Sequence, residues 1–84
     1  EEDDSGIDFA VIGFGSEEDR DDLQQIDGIG RFVEKKLNDI GIYKISQIAS
    51  MTQEISEEVN QAIGLGPGRI DRDEWVLQAK RLIR

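Results

Sequence analysis

The sequence contains no cysteine and no histidine. Without cysteine there is neither a disulfide framework nor a thiolate metal site. Without histidine the commonest catalytic base and metal ligand is missing. Apolar runs are short: none approaches the roughly 20 residues of a membrane-spanning helix, and no basic-then-apolar leader opens the chain. Bases are scarce too, 10 Lys and Arg against 19 Asp and Glu, for a net charge of −9. That excess argues against a dedicated DNA binder, since most of those are basic. With 84 residues the chain makes one small domain with a core only just large enough to fold alone. It starts at Glu1 rather than Met, which points to a piece of a longer protein, expected to be cytoplasmic.

The negative charge is unevenly spread. Residues 1–20 carry eight acids and one base, whereas residues 21–84 carry eleven acids and nine bases. The chain therefore divides into an acidic tail or linker over 1–20, expected to be largely disordered, and a nearly neutral domain over 21–84. Within the tail, Ile7, Phe9, Val11, Ile12 and Phe14 form an apolar island. It is either a linker remnant or a segment docked on the domain. The tail's charge is placed to compete with phosphate for any basic surface nearby, over a Debye length of about 10 Å at 0.1 M salt.

The most informative stretch runs from Leu23 to Leu37. Leu23 and Ile26 stand at helical spacing, Gly28-Ile29-Gly30 follows, and a second helical pattern begins at once. A glycine–apolar–glycine joint turns the backbone tightly and opens the next helix with unpaired N–H groups, a ready anion site at the positive end of the helix dipole. Ile29 is expected to point back into the core.

Further helices follow. One spans about Arg31 to Asp39 with Val33 and Leu37 inward, closed by Gly41 with Ile42 as its apolar contact. A short one presents Ile45, Ile48 and Ala49. Thr52 caps the next, which buries Ile55, Val59, Ala62 and Ile63. Asp71 and Glu74 read as a capping box for a last helix with Trp75, Val76, Ala79, Leu82 and Ile83 on one stripe. Nothing reads as a sheet, so the domain is all-α with about five short helices. A shift of 36 residues lays Leu23, Ile26, Gly28, Ile29 and Gly30 over Val59, Ala62, Gly64, Leu65 and Gly66, which suggests a duplicated hairpin.

Asp21-Asp22-Leu23, Gly28-Ile29-Gly30 with Glu34-Lys35-Lys36-Leu37, and Gly68-Arg69-Ile70-Asp71-Arg72-Asp73-Glu74-Trp75 together resemble a tandem helix-hairpin-helix (SAM-like) bundle. The resemblance is to the small bacterial family described as flap-endonuclease-like 5′ DNA nucleases, and it covers residues 21–83. It implies sequence-independent grip of DNA backbone phosphates by the amides of Gly28, Gly30 and Phe32. Gly64 and Gly66 take part from the second hairpin, and Arg31, Lys35 and Arg69, with Arg72, close a basic clamp. It also implies a monovalent cation on the carbonyls of Gln24, Ile26 and Ile29. Two positions depart from the pattern: Phe32 stands where a lysine or other polar residue is frequent, and Glu34 where alanine is common.

Catalysis has little footing, because nuclease chemistry needs converging carboxylates with a divalent metal, and here the acids sit on helix faces and caps. The leading reading is a non-catalytic accessory module that binds nucleic-acid backbone. Its rival is a protein-interaction adaptor on the same scaffold, suggested by the near-neutral core and by Phe32 at the mouth of the hairpin. A continuous basic strip through Arg31, Lys35, Arg69 and Arg72 favours the first. Interrupting acids and a bare apolar patch favour the second.

Overall fold

The computed structural model describes residues 7–66 and 68–83. Over these residues the chain is all-helical: α1 (Phe9–Ile12), α2 (Arg31–Asp39), α3 (Ile45–Ala49), α4 (Gln53–Ala62), α5 (Arg69–Arg72) and α6 (Trp75–Leu82). Two single 3-10 turns, Glu17–Asp19 and Leu23–Gln25, precede α2. The helix expected around Leu23 is thus one 3-10 turn, too short to be α-helical before the glycines. Two further elements, α1 and α5, were not anticipated.

Periodicity explains most of the core. Leu23, Leu37, Ile42, Ile48, Val59, Trp75 and Ala79 are all fully excluded from solvent. The centre is made by α3 lying against α6, with α1 also packed on α3. Thr52 caps α4 as its sequence position implies, its hydroxyl accepting the Ile55 N–H at 3.2 Å. Gly41 takes φ +100° after α2, and Phe9 closes over it.

The apolar island does not trail into solvent. Ile7 and Ile12 are buried in the core, and Asp8 caps α1 by accepting the Ala10 N–H. The expectation of a largely disordered tail therefore fails for residues 7–14, because two isoleucines bury more apolar surface than a free segment would leave in water. Its first six residues lie outside the described residues. The buried side chain of Gln47 fastens this segment. Its Nε2 donates to the Gly13 and Gly41 carbonyls at 3.0 and 3.1 Å, while its Oε1 accepts the Tyr43 and Lys44 N–H groups. Ile12→Ala should accordingly cost about 2–3 kcal/mol. A thermal melt identical to that of the unsubstituted chain would show the segment to be a mere linker.

Three smaller expectations need correction. Ala62 is exposed, and Ile63 takes the core position beside it. Leu82 and Ile83 are also exposed, because α6 rests on a helix of only five residues and its contact ends near Ala79. The Asp71–Glu74 capping box does not form. Asp71 lies within α5, and Glu74 precedes α6 in a left-handed conformation (φ +58°) with no side-chain cap.

Candidate functional site

The first hairpin is built from its own sequence outwards. Asp22 accepts the Gln24 N–H and starts the 3-10 turn, and Leu23, Ile26 and Ile29 all point into the core. The Ile29 N–H donates to the Ile26 carbonyl at 3.0 Å and closes the turn, with Gly28 at φ +103°. α2 then begins at Arg31 behind Gly30, which has no side chain to cap it. In consequence the N–H groups of Gly28, Gly30, Arg31, Phe32 and Val33 have no acceptor among the described residues. Five open donors thus stand at the positive end of a nine-residue helix, the arrangement that suits an anion.

Side chains distant in sequence hold this turn rigid. Glu34, one of the two departures from the resemblance, folds back from α2. Its Oε2 accepts the Leu23 N–H at 3.0 Å and its Oε1 the Gln24 amide at 2.9 Å. The carboxylate is therefore a brace, largely spent on the turn that precedes the glycines. From α6, Gln78 accepts the Asp27 N–H at 2.8 Å and donates to the Asp27 and Asp73 carbonyls. Beneath the turn lies Trp75: a Cβ on Gly28 would stand 2.9 Å from its Nε1 and 2.8 Å from Asp73 Oδ2. Neither Glu34 nor Gln78 as a brace was foreseen. The only local hint was an acid at a position where a small residue is usual.

The basic clamp does not assemble as expected. Arg69 Nε is bound to Asp73 Oδ2 at 2.7 Å, and Lys35 pairs with Asp39 at 3.7 Å. Arg20 pairs with Glu17 in the same groove that Arg31 and Lys35 line. Acids thus interrupt the strip. Among the described residues neither Arg31 nor Lys36 lies within 4.0 Å of a carboxylate, and Phe32 beside them is 80% exposed. Away from this face, the Ser16 N–H donating to Asp19 holds that carboxyl below its ordinary pKa.

The second hairpin is not an equivalent grip. Buried Asn60 closes it from within: its Nδ2 donates to the Leu65 and Gly66 carbonyls, and its Oδ1 accepts the Ile70 N–H. The Gly64 N–H donates to Gln61 and the Arg69 N–H to Gly66. The helix that follows has only four residues. Gly64 and Arg69 are therefore withdrawn from phosphate contact by internal bonds, while Gly66 stays exposed without equivalent neighbours. Of the carbonyls expected to hold a cation, that of Ile26 already accepts the Ile29 N–H, which leaves it one lone pair.

Comparison with known proteins gives this geometry a context. The family model described as the RS2/RL21/YNQ2 HHH domain matches residues 23–83. The chain is similar to the small ribosomal subunit protein uS2 of Methylocella silvestris, 48% identical over 63 residues, which are 75% of this chain and 18% of that protein. It is likewise similar to uS2 of Methylobacterium radiotolerans, 46% identical over 63 residues with the same coverage of 75% and 18%. With uS2 of Azorhizobium caulinodans it shares 42% identity over 60 residues, 71% of this chain and 17% of that protein. The chain spans less than a fifth of the length of these curated relatives. No solved structure matches. The helix-hairpin-helix part of the resemblance therefore stands, while the relatives found are ribosomal proteins and not flap-endonuclease-like nucleases.

Proposed function

The chain belongs to the RS2/RL21/YNQ2 HHH domain family, and from that premise we propose that it is a non-catalytic accessory module of a ribosome-associated, cytoplasmic protein. It docks on RNA backbone through its first hairpin alone. The observation that carries this reading is the set of open N–H groups from Gly28 to Val33, held in place by Glu34, Gln78 and Trp75. The uS2 relatives favour RNA over the DNA expected from the sequence. A monovalent cation on the carbonyls of Gln24, Ile26 and Ile29 would add positive charge to the same turn.

Of the three bases on α2, Arg31 and Lys36 are free of carboxylates while Lys35 is paired, so charge contributes little and the affinity is modest. In an NMR titration with a short RNA at low salt, amide shifts should centre on Gly28, Gly30, Arg31 and Phe32 and spare Gly64. For about two neutralised phosphates, the slope of log K against log salt should be about −1 to −2. Stationary amides at millimolar RNA would remove the proposal. The second reading, docking on a protein, is favoured by the interrupted basic strip and by exposed Phe32. It predicts no shift with RNA at any salt concentration.

A further inference from the structure

Phe32 is the unexplained residue of this surface. It is 80% exposed, on the second residue of α2, between the open amides of the hairpin and the exposed bases Arg31, Lys35 and Lys36. The other highly exposed aromatic, Phe14, stacks on Phe9 with centroids 5.8 Å apart, whereas Phe32 has no ring partner among the described residues. It contributes nothing to the core. At a point where phosphate is to be held, a polar side chain would do better than a phenyl ring. The ring makes sense if what lies over it is a flat apolar face accompanied by negative charge.

An unpaired nucleobase with its phosphates has that chemistry. Base-paired RNA does not offer it, because its bases are stacked inside the helix and present only their edges in the grooves. Looped or single-stranded RNA exposes base faces that stack on aromatic side chains, and stacking of that kind is tolerant of sequence. The neighbouring acids do not oppose this. Glu34 is folded back onto Leu23 and Gln24, and Asp39 is held by Lys35. Arg31 and Lys36 stay available for the phosphates on either side of the stacked base. Stacking also supplies affinity where the acidic chain lacks charge.

We infer that Phe32 is a stacking platform for an unpaired RNA base, so that the hairpin selects looped or single-stranded RNA over duplex. The inference rests on the RNA reading above and narrows its ligand class. The test compares a stem-loop RNA carrying 2-aminopurine in its loop with a fully paired RNA of equal nucleotide number, both titrated with the full chain. The stem-loop should bind about ten-fold more tightly, with 2-aminopurine fluorescence quenched on binding. Phe32→Ala should abolish the quenching and lower stem-loop affinity about ten-fold, leaving duplex affinity within about two-fold. Phe32→Tyr, which keeps the ring face, should retain the preference. Since Phe32 is exposed, both variants should melt as the parent does, and a thermal melt checks this. Equal affinity for the two RNAs, or a preference that survives Phe32→Ala, would overturn the stacking role while backbone binding through Gly28 and Gly30 still stood. Binding of neither RNA would overturn both and leave docking on a protein as the use of this face.

Discussion

Replacing Gly28 with alanine is expected to destabilise the domain by about 2–4 kcal/mol and to abolish RNA binding, whereas Gly30→Ala should cost less than about 1 kcal/mol. Both glycines bracket Ile29 and look equivalent in sequence, yet their surroundings differ. Gly28 has φ +103°, a conformation that costs an L side chain about 1–3 kcal/mol. Its Cβ would also stand 2.8 Å from Asp73 Oδ2 and 2.9 Å from Trp75 Nε1. Asp73 is pinned by Arg69, and Trp75 is fully buried, so neither can yield without disturbing the core. Gly30, at φ −97°, would place a Cβ in open space. Urea denaturation of the two variants reads the difference directly. A Gly28→Ala protein as stable as the parent would show that the turn does not sit against Trp75.

Trp75→Ala should cost about 3–5 kcal/mol, the range for emptying a buried aromatic site. For a domain of this size the total stability is on the order of 4–13 kcal/mol, so the variant should lose a large share of it. Trp75 opens α6, is fully buried, and supports Gly28 from below. Its Nε1–H has no acceptor among the described residues. Trp75→Phe should therefore cost much less, because it removes a donor whose burial without a partner costs about 1–3 kcal/mol. Circular dichroism in urea follows both variants, since the only tryptophan is lost in each. Equal destabilisation by Ala and Phe would mean that the N–H contributes and that an acceptor is present.

How much of this was legible beforehand divides by residue. α2 was bounded correctly from the spacing of Val33 and Leu37 and from Gly41, and the Thr52 cap was placed by its position before Ile55. Ile29 was correctly expected to be buried. The second hairpin repeats the pattern of the first in sequence but not its open donors. Its glycines match, but its carbonyls and the Ile70 N–H are tied up by Asn60, at a position where the first hairpin has Gln24. An asparagine in a helix has no local signature of that task. The docking of residues 7–14 is only one of two readings in the sequence, because their apolar pattern is too short to have a period and acids surround it.

The sequence by itself determined the helical class, the glycine turn that opens α2 with unpaired amides, and the absence of histidine and cysteine chemistry. These follow from interactions reaching three or four residues along the chain, where spacing and caps act. The tertiary structure alone decided which glycine is indispensable and what holds the hairpin still. Gln78 reaches Asp27 across 51 positions and Gln47 reaches Gly13 across 34. A glutamine has several possible partners within reach of its flexible stem. Only the packing of α3 against α6 fixes which of them it meets.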